Sequence, residues 1–463
     1  MSDRNLSRFL EAPFAAPRLT LCLVVLALVL LGSVVVFSTT YVASLNLVEA
    51  ASAIADAGAG AVEYAPDSLV DSLVKQALFA VIGIVFVALM HLVPQACWRT
   101  WIPYLLMVLA VAIILFTMAY GSLRLGATRT VVIGSFSVQP TEFCKIAFVV
   151  MAGKIAADYR EGALGSSKLL LAVFVLIIVP LMMLYKFQSD LGGTMIIAVG
   201  CLAVLWFSEV PLRYIVVPVA VAVAFVVLST VLTEYRSDRM LFLDPWNDGG
   251  AGSESGLQNI RASYAFAGGG LLGVGLGNSH EKFNWLSESE TDLAFAIVGE
   301  ELGLVGAMVV ILLFLALLAA GLYLSRSCDD TFARVVSGGL VVMLVFQAFL
   351  NMGCCAGILP ITGKPLPFIS KGGSSLLASI LLIGVILCVT RASGEPQRRR
   401  RDLRVVRAES SSSLSPDDFH AVGTRGSARG RTGHLTRSQG RGTYGSPGGV
   451  SNGRSGSRYG RKG

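Results

Sequence analysis

Residues 19–38 read LTLCLVVLALVLLGSVVVFS, twenty positions without a single charge. At roughly 1.5 Å per residue, a helix of that length crosses the ~30 Å hydrocarbon core of a bilayer. The run ends in Ser38-Thr39-Thr40-Tyr41, which is not the small-residue site of a cleaved signal. It is therefore expected to stay as a first transmembrane helix. Nine more apolar stretches follow, and the ten lie near 18–40, 72–94, 101–120, 140–159, 167–186, 191–208, 211–233, 292–325, 333–358 and 372–391. The eighth is longer than a bilayer needs, which calls for tilt or an extension beyond the membrane. The expected fold is an all-α polytopic membrane protein of about ten helices.

Composition agrees. Of 463 residues, 54% are hydrophobic and 14% charged, against about 25% charged in a water-soluble domain. The formal net charge of +7 is unevenly placed, because residues from Arg391 onward hold sixteen Lys/Arg and five Asp/Glu. The rest of the chain is net acidic, so the basic excess does not mark a nucleic-acid-binding domain. The eight cysteines lie in apolar runs or short loops and form no disulfide pattern.

Lysine and arginine placement sets the orientation. Arg4, Arg8 and Arg18 precede the first helix, and the loop 41–71 has no Lys or Arg but five carboxylates. Arg99, Arg160 with Lys168, Arg213 and Arg326 follow the second, fourth, sixth and eighth helices. Both termini are thus expected in the cytoplasm, with a long outer loop, 234–291, between helices seven and eight. That loop carries Trp246, Tyr264, Phe266, Phe283 and Trp285 among its glycines, which suits a folded or interfacial segment. Three parts follow: a cytoplasmic N-terminus, 1–17; a membrane domain, 18–391; and an Arg/Gly/Ser-rich tail, 392–463. The tail is too polar to fold alone and is expected to be disordered. Its arginines suit anionic lipid head groups or an acidic partner.

Ionisable groups at membrane depth are costly and so mark function. Four clusters qualify. Gln139-Pro140-Thr141-Glu142 with Lys145 opens the fourth helix, with Glu142 in its first turn and Lys145 three residues on. Gln188-Ser189-Asp190-Leu191-Gly192 stands at the outer mouth of the sixth, where Ser189 or Asp190 would also cap the helix. Glu290-Thr291-Asp292 opens the eighth, and Glu300-Glu301 lies about 12 Å further along it. The stretch 359–375, with Pro360, Pro365 and Pro367 and three glycines, cannot be a regular helix and reads as a re-entrant or outer loop. All four fall on the outer side. A carrier gathers its site near the midplane, whereas this pattern suits chemistry on a lipid-borne substrate with its head group at the outer surface.

These residues resemble the SEDS family (shape, elongation, division and sporulation proteins) of cell-wall polymerases, from the first helix to the tenth. Four separated motifs carry the likeness, in order: Gly126-Ala127-Thr128-Arg129 with Gln139-Pro140-Thr141-Glu142 and Lys145; Gln188 with Asp190-Leu191-Gly192; Glu290-Thr291-Asp292 leading to Glu300-Glu301-Leu302-Gly303; and Pro365-Leu366-Pro367-Phe368-Ile369-Ser370 with Gly372-Gly373-Ser374-Ser375. Gly275-Leu276-Gly277-Asn278-Ser279 with Lys282 is more similar to the division branch than to the elongation branch. Thr130-Val131 stand where the family usually has Trp-Ile, Glu290 where it has His, and Lys371 where it often has Tyr.

The resemblance implies a peptidoglycan glycosyltransferase that polymerises lipid II during septal wall synthesis and releases undecaprenyl pyrophosphate. It implies Asp292 as the essential carboxylate and Lys145 as its charge partner. It also implies a bacterial plasma membrane location at the division septum, a class B penicillin-binding protein transpeptidase and other division proteins as partners, and no nucleic acid. Asp292 would act as a base on the acceptor hydroxyl or as a ligand of a divalent cation, Mg²⁺ or Mn²⁺. Arg129, Lys145, Arg239 and Lys364 are the outer cations available to a leaving pyrophosphate. Glu142, Gln188, Asp190, Ser370 and Ser374 complete the expected substrate-binding set. The competing readings are a flippase or transporter for lipid-linked precursors, a non-catalytic division scaffold, and an elongation role.

Overall fold

The computed structural model describes residues 15–56, 69–120, 122–124, 127–133, 136–188, 190–211, 220, 244–247, 256–282 and 291–391. Side chains are described within 17–40, 73–119 and from 138 onward in those ranges. The expected seventh helix at 211–233 lies almost wholly outside the described residues. So do the N-terminal segment up to residue 14, Arg239, Phe283, Trp285, Glu290 and the tail from 392.

The other nine expected segments are helical. They are α1 (Ala15–Asp56), α2 (Leu69–Leu92), α4 (Ile102–Tyr120), α5 (Pro140–Arg160), α6 (Ser166–Gln188), α7 (Leu191–Phe207), the pair α9 (Ala294–Glu301) and α10 (Gly303–Arg326), α11 (Thr331–Cys355) and α12 (Gly373–Val389). Short α3 (Gln95–Thr100) turns the chain between α2 and α4, and α8 (Leu257–Gly269) folds part of the long outer loop. Six helices are long and apolar enough to span a membrane, and α7 and α12 are shorter apolar helices. The chain is a multi-pass membrane protein.

Three features depart from the sequence reading. Helix α1 runs well beyond its apolar run, through an alanine-rich stretch of high helix propensity. The connection between α4 and α5 holds a small antiparallel sheet in the order β1 (Ser122–Arg124), β2 (Ala127–Ile133), β3 (Phe136–Val138). Val131 faces Val138 and Ile133 faces Phe136. Its β-branched Thr128, Thr130, Val131, Val132 and Ile133 suit a pleated surface. The eighth segment is broken at Leu302–Gly303. Gly303 takes φ +65°, and a Cβ there would fall 2.3 Å from the Gly273 nitrogen. The outer loop lies along the break, with Val274 N donating to Glu300 O at 3.0 Å and Leu304 N to Gly270 O at 2.9 Å.

Helix α11 is buried on nearly every face and packs against α7, α10 and α5. Helix α2 instead presents Val81, Ile84, Phe86 and Leu89 outward, the apolar surface a lipid-facing helix needs. Helix association in lipid rests on packing rather than release of water, so α11 and α5 are the frame for any site.

The two ends of the bundle differ. At one end Arg18 on α1 donates to Thr390 O beyond α12, and Arg391 donates to His91 O at 2.7 Å. Gln95 donates to Cys388 O at 3.3 Å. The start of the first helix and the end of the last are therefore together, as an even number of crossings requires. That end carries Arg99, Arg160 and Arg326 of the expected inner loops. The opposite end holds the sheet and the loop 356–372.

Candidate functional site

Helix α5 begins with Pro140, whose fixed φ and missing N–H suit the first helical position. Glu142 and Lys145 follow one turn apart and both are buried. Their side chains form an ion pair, Lys145 Nζ to Glu142 Oε2 at 2.6 Å. Lys145 Nζ also donates to Gln347 Oε1 on α11, and Gln347 Nε2 donates to Pro365 O at 3.0 Å.

Asp190 caps α7 by accepting from Gly193 N at 2.9 Å. Its other oxygen takes Lys364 Nζ at 2.5 Å, and Lys364 Nζ also donates to Thr141 Oγ1 at 3.1 Å. One aspartate thus does both the ordinary capping job and a long-range one. Asn351, one turn beyond Gln347, donates to Lys364 O at 2.8 Å and to Asp292 O at 2.7 Å. The loop 360–372 is therefore tied to α5, α7 and α11 at once. Within it, Leu366 N donates to Ser370 Oγ at 2.8 Å, and Phe368 takes φ +66°, unusual for a bulky residue. Gly32 on α1 packs against this loop, where a Cβ would fall 2.1 Å from Phe368 O.

Four sequence clusters, far apart along the chain, thus meet at the outer end. Asp292 is half-buried beside this network, immediately before α9. Lys145, implied as its partner, is engaged by Glu142 and Gln347 instead. Ser374 accepts from Gln139 N at 3.5 Å. Gln188 is fully buried, and its amide has no hydrogen-bond partner among the described residues. Arg129 lies in β2, with its side chain outside the description, and Arg239 lies outside it altogether.

Glu300 and Glu301 belong to a second polar centre. Lys282 Nζ meets Glu301 Oε1 at 2.6 Å, and Ser38 Oγ on α1 donates to the same oxygen at 2.6 Å. Glu300 accepts from Ser279 Oγ and from His280 N at 2.7 Å. These carboxylates fasten the outer loop to α1 and to the end of α9. Nearby, burial pushes the Glu281 carboxyl above its ordinary range, against the pull of Arg261 at 3.7 Å.

Sequence reasoning missed Gln347 and Asn351 as members of the network. Gln347 and Asn351 were detectable as two amides at i, i+4 spacing inside a long apolar run, where polar groups need partners. Chemically the site offers a half-buried carboxylate, two buried lysines and several hydroxyl and amide groups at a membrane surface. Among the described residues, no three His, Cys, Asp or Glu side chains gather as a cation cage. Mg²⁺ shared with a substrate's phosphates needs only one or two carboxylates, and Asp292 fits that lesser demand.

A family model described as "Cell cycle protein", covering FtsW, RodA and SpoVE, matches residues 18–395. The chain is 33% identical over 327 residues to a probable peptidoglycan glycosyltransferase FtsW of Geobacter metallireducens, covering 70% of this chain and 86% of that one. It is 33% identical over 312 residues to the peptidoglycan glycosyltransferase MrdB of Escherichia coli, covering 66% and 82%. A solved structure described as "Structural coordination of polymerization and crosslinking by a peptidoglycan synthase complex" aligns with a TM-score of 0.58 at 26% identity, over 81% of this chain and 98% of that one.

Proposed function

This chain belongs to the cell cycle protein family of FtsW, RodA and SpoVE, and on that premise we propose that it polymerises lipid II into glycan strands at the outer face of the plasma membrane. It is a peptidoglycan glycosyltransferase, as its relatives are named. The observation that carries the reading is the meeting of four distant polar clusters at one end of the bundle around Asp292. Buried ion pairs are expensive to assemble. Two of them on a lipid-embedded frame suit a head group with several charges and hydroxyls.

In this reaction an acceptor sugar hydroxyl attacks the anomeric carbon of a donor. The bond from that carbon to pyrophosphate breaks, and undecaprenyl pyrophosphate leaves. Inversion at the carbon requires one acceptor for the hydroxyl proton and positive charge near the leaving group. Asp292 is the proposed carboxylate for that proton, or for a Mg²⁺ or Mn²⁺ ion that would neutralise pyrophosphate. Lys145 and Lys364 are already matched by Glu142 and Asp190. Their first role is to hold the loop 360–372 in register. Serving the leaving group requires that they exchange partners, and Arg129 and Arg239 are further candidates. Gln188, whose buried amide has no hydrogen-bond partner among the described residues, is the proposed polar contact for an incoming sugar or phosphate, and Ser370 and Ser374 are further proposed contacts.

The proposed partner is a class B penicillin-binding protein transpeptidase that cross-links the strands, in the manner of the synthase complex this fold resembles. The proposed setting is the division septum, together with other division proteins. Anionic lipid or an acidic protein is the proposed contact of the tail.

The test is to place the full chain and its transpeptidase in sealed vesicles with labelled lipid II, with and without Mg²⁺ or Mn²⁺. Labelled glycan strands are expected. Lipid II that crosses the bilayer without forming strands would replace this reading with the transporter one.

A further inference from the structure

We propose that Glu301 is a positioning residue for Asp292, held in a clamp with Lys282 of the outer loop and Ser38 of α1. The clamp fixes one end of α9, and the reacting carboxylate stands at the other. This inference rests on Asp292 as the carboxylate of the proposed reaction.

The break in the eighth segment creates the need. Helix α9 has only eight residues, and a helix so short has little stability of its own. Gly303, at φ +65°, turns the chain between it and α10, so α9 does not continue the line of the longer helix. Its packing is chiefly against α8, with Phe266 set close against Gly299, and α8 belongs to the same outer loop. Asn351 holds the Asp292 carbonyl at 2.7 Å. One such bond fixes a point, and a second, about 12 Å away at the far end of the helix, is needed to fix a direction.

The clamp supplies that second point. Lys282 Nζ meets Glu301 Oε1 at 2.6 Å and donates to Ser38 Oγ at 3.0 Å, while Ser38 Oγ donates to the same carboxylate oxygen at 2.6 Å. Three groups converging in this way set Glu301 in angle as well as distance. The Lys282 and Glu301 side chains are 0% and 2% exposed, so neither charge is placed to meet water or a surface ligand. A pair at that depth gains little over apolar residues of the same volume; what it adds is one defined geometry. Glu300 is engaged differently, by Ser279 Oγ and the His280 N–H. Those groups lie in the outer loop itself, so it is Glu301, through Ser38, that ties α9 to a membrane-spanning helix.

The experiment measures initial rates of strand synthesis by the full chain with its transpeptidase over a range of labelled lipid II, beside detergent melting of each variant. Lys282→Met with Glu301→Met removes both charges together and should melt close to wild type. Its kcat should fall about tenfold with KM unchanged, the mark of a reacting group slightly displaced. Ser38→Ala keeps the ion pair, cuts only its tie to α1, and should lower kcat about threefold, again at constant KM. Wild-type kcat from both variants would overturn the positioning role and leave the clamp as a support of the fold. A rise in KM alone would overturn it too, because Glu301 would then be serving substrate binding. Asp292→Ala separates the two claims. If it is inactive while the clamp variants keep full kcat, the positioning role alone fails. If it keeps the wild-type rate, the assignment of Asp292 fails and takes the positioning role with it.

Discussion

The outer and inner ends of this bundle both carry ion pairs, but at different depths, and even the most enclosed pair near the inner end, Lys154–Asp158, keeps 14% and 17% exposure. At the outer end Lys145–Glu142 and Lys364–Asp190 have side chains at most 4% exposed, and backbone and amide groups hold them in one network. At the inner end Arg160–Glu209 is 44% and 72% exposed. Exposed pairs contribute little, because water solvates their charges almost as well apart as together. Buried pairs gain only if their geometry compensates for lost hydration. The comparison teaches that paired charge alone does not mark a site in this protein. Charge kept at depth, against the cost, does.

Lys364→Ala should break this comparison most severely. It leaves Asp190 buried without its partner and releases the loop 360–372, at a cost of about 3–5 kcal/mol in detergent unfolding. The double variant Lys364→Met with Asp190→Asn, which removes both charges but keeps a side-chain cap for α7, should recover most of that loss. No recovery would show that the loop depends on Lys364 for something other than charge balance. Asn351→Ala should cost about 1–3 kcal/mol, because the carbonyls of Asp292 and Lys364 lose a donor. It should also slow strand synthesis about tenfold through misplacement of Asp292. At the inner end, Arg160→Ala should change stability by less than about 1 kcal/mol and leave synthesis unchanged. A large effect there would erase the distinction between the ends.

Glu281→Gln should act least. The Glu281 carboxyl is held above its ordinary range by burial. The folded state therefore binds its proton more tightly than the unfolded state does, and wild type loses stability as pH rises through that raised range. The variant escapes that loss. Its small advantage at pH 8 should vanish below about pH 4, the ordinary carboxylate range, as melting curves across pH would show.

Much of this was legible in the sequence, for a physical reason. Lipid permits few charges, so Glu142, Lys145, Asp190, Asp292 and Lys364 stood out against apolar runs. The same contrast gave nine of the helices now seen, and the even count expected of them agrees with the Arg18–Thr390 contact, which brings the start of α1 and the end of α12 to the same end. What stayed hidden was pairing. Lys145 meets Gln347 across 202 residues of chain, and no local rule connects them. Gln347 and Asn351 are neutral and drew no attention beside lysines and carboxylates. The break at Leu302–Gly303 was also missed, because it depends on the outer loop lying along it, and a lone glycine in an apolar run does not announce that.

The central claim is that glycan strands are made at the outer cluster around Asp292. The most direct measurement gives labelled lipid II to the full chain with its transpeptidase partner, and compares wild type, Arg160→Ala and Asp292→Ala by strand length. The account predicts strands from the first two and a loss of at least about 10³-fold, over 4 kcal/mol of barrier, from Asp292→Ala in a protein that still folds. Strands made by Asp292→Ala at the wild-type rate would contradict it.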